Sequence, residues 1–154
     1  MNIFKLATML DVDYLSRNLR KADIEELRAL GTGTFNALAN SLSLSDLALT
    51  AMVPEEPTTP ALMFGVTTRF KEICGFTVIW LLATDAVKKH ETMFLRYSRR
   101  WVKTLFKEYG PLGNWVHSKN YASRKWLGWL GFAPQHNRSV SKNGATFILY
   151  LKDA

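Results

Sequence analysis

The sequence has a single cysteine, Cys74, so no disulfide can form within the chain and no cysteine cluster is present to hold a metal. It also lacks a long hydrophobic run: the longest, residues 73–83, is well short of the roughly 18 to 20 residues that a helix needs to cross a bilayer. No small-residue cleavage site follows the apolar stretch at the N-terminus. We therefore expect a soluble protein without a targeting segment or metal site, in a reducing compartment or a virion interior.

Positive charge is scarce in the first part of the chain and abundant in the second. Residues 1–61 contain five Lys or Arg and eight Asp or Glu, whereas residues 62–154 contain fifteen and five. The basic part favours a phosphate-bearing partner, either a nucleotide cofactor, a nucleic acid or an anionic surface. A simply solvated basic face is the alternative.

Hydrophobic periodicity divides the chain into strands and helices, with no repeat and no low-complexity tract. It predicts strands at 2–8, 47–53, 61–66, 76–82, 112–116 and 145–152, and helices starting at Asp11, Asp23, Phe35, Glu91 and just after Asn120. Three prolines in residues 54–60 predict a loop there. The strand, helix and strand of residues 76–116 predict a right-handed crossover that joins two parallel strands.

The segment from Trp115 to Pro134 carries the most specific pattern. Asn120 is a natural N-cap, and Gly131 can end the helix in a left-handed conformation. Ala122, Trp126, Trp129 and Leu130 form one apolar stripe, which predicts burial of that face. Ser123 lies at the third helical position.

This segment resembles the closing part of the GNAT acetyltransferase fold, in which N-x-x-(A/S) opens a helix and G-F follows eleven and twelve residues after the Asn. Asn120, Ser123, Gly131 and Phe132 match that pattern. The order of the predicted elements is similar as well. The resemblance implies an α/β (α+β) fold, formed by residues 1–154 as a single domain. Its mixed sheet would have about six or seven strands, with helices on both faces and one short strand near Phe132.

A narrower resemblance covers the chain from about Phe4 to Phe132. The segments DVDYLSRNLRKADIEELRALG, ALMFGV, WLLATDAV, FLRYSRRWV and NWVHSKNYASRKWLGWLGF are similar to small internal virion proteins of short-tailed bacteriophages. This implies a place in the phage virion interior or in the cytoplasm of the infected bacterium. Phage virion proteins or a host factor would then be the partners.

The GNAT resemblance implies acetyl-CoA as the cofactor if the protein is active. Its pantetheine arm would lie between two splayed parallel strands, and its diphosphate against backbone N–H groups after the fourth strand. The usual signature is R/Q-x-x-G-x-G/A, but residues 82–89 contain no glycine and place Asp85 where phosphates would lie. The candidate cofactor-binding residues are Thr84, Asp85, Ala86, Lys88, Lys89, Asn120 and Ser123.

The catalytic groups that the resemblance implies are also incomplete. Active relatives commonly carry a Tyr acid seven residues after the capping Asn, where this chain has Leu127, and no carboxylate occurs in the strand at residues 76–82. His117 and Asp85 remain the candidates for proton transfer, with a surface histidine ahead of a helix cap as the alternative for His117. The sequence thus favours a degenerate acyl-CoA site with weak or no catalysis. The alternative is an acyl-CoA-dependent N-acyltransferase that acts on an unknown amine.

The helix predicted at residues 91–109 carries a separate basic face. Arg96, Arg99, Arg100, Lys103 and Lys107 cluster opposite its apolar side. Such a face can bind nucleic acid or an acidic virion partner, or it can be solvated. The tryptophans of the second half do not interleave with these cations, and we expect them in the core.

Overall fold

The computed structural model describes residues 2–154. Strands and helices alternate along this part of the chain. The strands are β1 (Phe4–Leu6), β2 (Leu47–Val53), β3 (Glu56–Thr67), β4 (Thr77–Ala83), β5 (Leu112–His117), β6 (Ala133–Lys142) and β7 (Ala145–Lys152). The helices are α1 (Met9–Ser16), α2 (Lys21–Ala29), α3 (Thr34–Leu44), α4 (Lys71–Cys74), α5 (Ala86–Lys89), α6 (Glu91–Tyr109) and α7 (Tyr121–Trp129).

All seven strands belong to one mixed sheet in the order β1-β2-β3-β4-β5-β7-β6. Each neighbouring pair is antiparallel except β4 and β5, which are parallel and joined through α6. The predicted parallel pairing of these two strands and the mixed sheet are therefore confirmed. No helix within residues 2–154 is both long and apolar enough to cross a membrane.

The two faces of the sheet bury separate apolar clusters. On one face, α1, α2 and α3 cover a cluster that includes Val12, Leu15, Leu27, Leu38 and Met63. On the other face, α6 and α7 cover a larger cluster that includes Phe94, Val102, Leu105, Phe132 and Ile148. Side chains of β4 alternate between the two clusters, which is why its sequence is apolar throughout and lacks polar alternation.

The parallel strands β4 and β5 separate soon after they begin. Only Thr77 and Val78 pair with β5, opposite Leu112 and Gly113. From Ile79 onward β4 stays paired with β3 alone, so a wedge-shaped gap opens in the middle of the sheet. This gap is the feature that places the candidate site.

The prediction for the proline segment is wrong in part, and the strand expected near Phe132 is longer than predicted. Residues 56–60 are not a loop but form the start of β3, where they pair with β2. Pro57 and Pro60 are tolerated there because no strand within residues 2–154 pairs with the other edge of this part of β3. The short strand expected near Phe132 is the ten-residue β6, which is paired by β7 on one side and almost wholly exposed.

The starts of two helices and the burial of a third also differ from their prediction. Thr8, not Asp11, caps α1, and Asp11 completes a capping box with it. Asp23 does not start α2 but lies buried in its first turn, and α2 begins at Lys21. The expected burial of the apolar stripe on α7 is wrong in part, because no residue of α7 is fully buried and Trp129 is 36% exposed.

Candidate functional site

The gap between β4 and β5 exposes backbone groups that a continuous sheet would pair. Successive residues of a strand point their N–H and C=O groups to opposite edges. Thr77 donates its N–H to Pro111 at 2.9 Å, so alternate residues of β4 from Thr77 onward face β5. Ile79, Leu81 and Ala83 therefore present backbone groups to the gap.

The inner end of the gap is bridged by Asn114. Its side-chain Nδ2 donates to the carbonyl oxygen of Ile79 at 2.8 Å, and its Oδ1 accepts the backbone N–H of Trp115 at 2.7 Å. One carboxamide thus satisfies a backbone acceptor on β4 and a backbone donor on β5. It takes the place of the ladder hydrogen bonds that the splay removes.

The outer end of β4 is closed by the segment that leads into α2. Arg20 donates its backbone N–H to the Ala83 carbonyl at 2.9 Å, and the Asp23 carboxylate accepts the Ala83 N–H at 2.9 Å. The Arg20 guanidinium contacts the Asp23 carboxylate at 2.9 Å and the Ser123 hydroxyl at 3.1 Å. Both gap-facing backbone groups of Ala83 therefore have partners from the protein itself.

Glu26 closes the corresponding end of β5. Its Oε1 accepts the backbone N–H of His117 at 2.8 Å, and its Oε2 accepts the side-chain N–H of Asn120 at 2.6 Å. Burial raises the pKa of Glu26 above its ordinary value, although the two hydrogen bonds and Arg20 act in the opposite direction. Asn120 is itself buried and caps α7 by accepting the N–H of Ser123, which confirms the predicted N-cap.

Between these closures the gap contains a cavity of about 110 Å³. Its walls are mainly apolar side chains from the sheet, α6 and α7, and Glu26, Arg20 and Ser123 lie at its polar end. The volume is smaller than the ~150 Å³ of an engineered apolar cavity that holds benzene. Leu127 lines this cavity at the position where the resemblance implies a tyrosine, so no phenol acid reaches it from that position.

Leu81 is the exception among the gap-facing residues of β4. Within residues 2–154, no hydrogen bond joins its N–H or C=O to β5 or to a side chain. Both groups therefore remain available in the middle of the gap, beside the cavity that Leu81 lines.

The turn after β4 holds three of the predicted cofactor-binding residues. The N–H of Ala86 is directed to the Thr84 hydroxyl at 3.3 Å, and the N–H of Val87 donates to the Thr84 carbonyl at 3.3 Å. The N–H of Lys88 donates to the Asp85 carbonyl at 3.1 Å. These internal bonds use the N–H groups that would otherwise face a diphosphate.

The two lysines of α5 point in different directions. Lys88 lines a groove of about 380 Å³ beside α7, together with Asp85, Glu91 and Lys125. Lys89 instead contacts Glu55 of the β2–β3 turn at 3.1 Å, where His90 also binds, and these contacts lower the pKa of Glu55 to about 2. The structure thus brings Lys88, but not Lys89, to the groove.

The two candidates for proton transfer are separated. His117 is the last residue of β5, and its ring packs beside Phe147 with the centroids 5.4 Å apart. Asp85 is exposed in the turn before α5. Their roles stay predictions. No group of three potential metal-ligating side chains lies together within residues 2–154.

Sequence reasoning missed the side chains that close the gap. Asp23 and Glu26 lie three residues apart, next to Leu27 and Leu30, on the face of α2 that packs inward. Two acidic residues at positions where the helical period predicts a buried face are the signal that could have identified them. Asn114 left no such signal, since a single polar residue in a short strand usually faces solvent.

Comparisons with known proteins agree with this geometry at the level of the fold. The aminoglycoside acetyltransferase AAC(6')-Ib is similar in two complexes, one with ribostamycin and coenzyme A and one with acetyl-CoA. The TM-scores are 0.70 and 0.69, the sequence identity is 17%, and each match covers 97% of this chain and 92% of that one. A proposed phosphinothricin N-acetyltransferase is similar with a TM-score of 0.66 and 13% identity, over 97% of this chain and 96% of that one.

Comparisons at the level of sequence give no match. Neither a protein-family model nor a curated protein matches this chain. At the identities above, structural likeness establishes the fold alone. The seven-stranded mixed sheet with helices on both faces matches the GNAT acetyltransferase fold.

Proposed function

We propose that this protein uses a GNAT scaffold whose acyl-CoA site is closed by its own side chains, with weak or no acyl transfer. The observation that carries the proposal is that side chains of the protein bind the backbone groups in the gap. Asn114 donates to the Ile79 carbonyl, Asp23 accepts the Ala83 N–H, and Glu26 accepts the His117 N–H. A pantetheine arm in the gap would have to displace these contacts. Their loss would leave buried polar groups unpaired, which costs about 1–3 kcal/mol for each group.

The turn after β4 supports the same proposal. It has no glycine to bring backbone close to a diphosphate, and its N–H groups are bonded internally. Asp85 adds negative charge there, and the ammonium of Lys89 is paired with Glu55. Lys88 and Lys125 offer only partial compensation in the adjacent groove.

Calorimetric titration of the full chain with acetyl-CoA tests the closed site. We expect no binding tighter than about 1 mM, which corresponds to roughly −4 kcal/mol. Micromolar binding would overturn the proposal if it is lost in the double variant Lys88→Gln with Lys89→Gln. The matched control, Lys119→Gln with Lys142→Gln, removes two exposed charges elsewhere and should leave such binding unchanged.

The proposed place of action is a bacteriophage particle or the infected bacterium, as an accessory protein. This part rests on the resemblance of the sequence segments to internal virion proteins of short-tailed phages. Mass spectrometry of purified virions from the phage that encodes the chain tests it. Peptides of this protein in stoichiometric amount would support a virion role, and their absence from particles but presence in infected cells would restrict the protein to the cell.

One observation favours the alternative, an N-acyltransferase that transfers an acyl group from acetyl-CoA to an unknown amine. The free N–H of Leu81 can donate to a thioester carbonyl in the gap, and Glu26, with its raised pKa, can accept a proton at the same cavity. His117 contributes its backbone N–H to Glu26. This arrangement would supply polarisation of the carbonyl and a base, but not the tyrosine acid.

Release of free coenzyme A in the presence of amines tests this alternative. An active enzyme would release thiol above the background rate, and Glu26→Gln would reduce the rate by about 10²-fold or more, the range typical of a lost proton acceptor. Glu25→Gln is the matched control, because Glu25 is the exposed neighbour of Glu26 on α2. Equal rates in both variants would exclude Glu26 as the base.

A further inference from the structure

The outer face of α6 is a strongly basic surface that the cofactor site does not use. Its exposed cations are Arg96, Arg99, Arg100, Lys103 and Lys107, which we call the α6 basic face. With 3.6 residues per turn they occupy an arc of about 100° and extend over roughly 16 Å of the helix. None of them lines the gap or the groove beside α7.

These cations have no acidic partner. Within residues 2–154, every ion pair joins charges outside α6, including the pair of His90, which precedes the helix, with Glu55. The acids of α6 itself, Glu91 and Glu108, lie off the arc. Arg99 makes one neutral contact, from its Nε to the Trp129 carbonyl at 3.4 Å. Five like charges thus lie exposed along one side of α6 without an ion pair to any described residue, an arrangement that costs stability through self-repulsion and is relieved by a polyanion.

We propose that the α6 basic face binds double-stranded DNA through its phosphates, without sequence preference. The layout of the face favours a duplex, because cations spread along roughly 16 Å can contact several successive phosphates of B-form DNA, which carries one negative charge per about 1.7 Å of its axis. Unpaired bases would need exposed aromatic rings among the cations. Tyr97 and Trp101 are half-buried against the apolar cluster, and the Arg100 guanidinium lies 5.7 Å from the ring centroid of Tyr97. Lys125 lies 4.7 Å from the ring centroid of Trp129.

Fluorescence anisotropy with a mixed-sequence duplex of about 20 base pairs tests the proposal on the full chain. Each neutralised phosphate contributes about −0.9 to the slope of log affinity against log salt. With four or five contacts, affinity should fall by about 150- to 500-fold between 50 and 200 mM KCl. The triple variant Arg96→Gln, Arg100→Gln, Lys103→Gln should reduce the magnitude of the slope by about three.

A matched control distinguishes the effect of the α6 basic face on binding from the effect of net charge. The triple variant Arg69→Gln, Lys119→Gln, Lys142→Gln removes the same number of exposed charges from the formal net charge of +7, but outside α6. It should keep the slope of the unmodified protein. An equal loss in both triple variants would overturn the proposal, as would salt-independent binding or no binding at 50 mM KCl.

Two competitors test the chemical class of the partner. A single strand of the same length should bind more weakly than the duplex, and poly-glutamate should compete poorly. Tighter binding of the single strand would overturn the duplex assignment, and equal competition by poly-glutamate would point to an acidic protein. Acetyl-CoA should not compete with DNA, because the α6 basic face lies outside the gap and the groove. The result of this test is therefore independent of whether the acyl-CoA site is closed.

Discussion

The Nδ2 of Asn114 lies 2.8 Å from the carbonyl oxygen of Ile79, across the point where β4 and β5 separate. This contact replaces a backbone rung with a side chain at the start of the gap. It is the innermost of three side-chain contacts in the gap. The other two lie at the outer end, where Asp23 accepts the Ala83 N–H and Glu26 accepts the His117 N–H. Side chains of the protein thus pair with backbone groups at both ends of the gap, and the cavity lies between them.

Asn114→Ala should therefore destabilise the protein. The substitution leaves the Ile79 carbonyl and the Trp115 N–H without partners at the edge of the cavity, which costs about 1–3 kcal/mol for each group. Urea denaturation measures the change. Asn137→Ala, at an exposed position of β6, should change stability by no more than about 0.5 kcal/mol, and an equal effect in both variants would contradict the bridging role.

Gly113, opposite Val78 in the last paired rung, has no room for a side chain. A Cβ there would lie 2.9 Å from the Phe76 ring and 3.0 Å from the Tyr150 carbonyl. Gly113→Ala should therefore cost about 1–3 kcal/mol through overpacking.

The control for this change is Gly128 in α7. A Cβ at Gly128 meets nothing within 4 Å, so Gly128→Ala should stabilise the helix by about 0.5–1 kcal/mol. Thermal denaturation compares the two variants. Similar melting temperatures for both would show that the close approach at Gly113 is absent.

Glu26 should make stability depend on pH in a defined direction. Its folded-state pKa is raised by burial above the ordinary value of 4.5, so the folded protein holds a proton that the unfolded chain releases. The contribution of Glu26 is present below about pH 4.5 and is lost as pH rises through the folded pKa. As pH rises above about 4.5, the unmodified protein should therefore lose free energy of unfolding relative to Glu26→Gln, as measured by urea denaturation. Glu25→Gln should show the same pH dependence as the unmodified protein.

Asp11 should have the opposite pH dependence. Desolvation raises its pKa, but hydrogen bonds from Lys5, Thr50 and Thr8 outweigh this and hold the pKa below the ordinary value of 3.8. Its stabilising contribution is therefore present above about pH 3.8 and is lost as pH falls through the folded pKa. Asp11→Asn should be less stable than the unmodified protein at neutral pH, and the difference measured by urea denaturation should shrink in acid. A difference that is constant with pH would contradict the assignment.

The elements that position the site could largely be predicted from the sequence, because they rest on local signals. The apolar run of β4, the amphipathic pattern of α6 and the Asn120 cap each act within a few residues and determine the parallel crossover. The prediction was wrong where tertiary context decides. Pro57 and Pro60 are tolerated in β3 only because one edge of it is open there, and α7 is half-exposed because only Trp126, Leu127 and Leu130 reach the apolar cluster.

The closures of the gap could not be predicted in the same way. Glu26 and His117 are far apart in sequence, and their hydrogen bond depends on how α2 meets the end of β5. The sequence did indicate a poor diphosphate site through its missing glycines. It could not show that side chains pair with the backbone groups at the ends of the gap.

Amide spectra of isotope-labelled protein, recorded while acetyl-CoA is added to millimolar concentration, test the closed gap most directly. We predict that the N–H signals of Ala83 and His117 stay in place, because Asp23 and Glu26 remain their acceptors. Saturable shifts of these two signals together with that of Leu81 would place the cofactor in the gap and contradict the account.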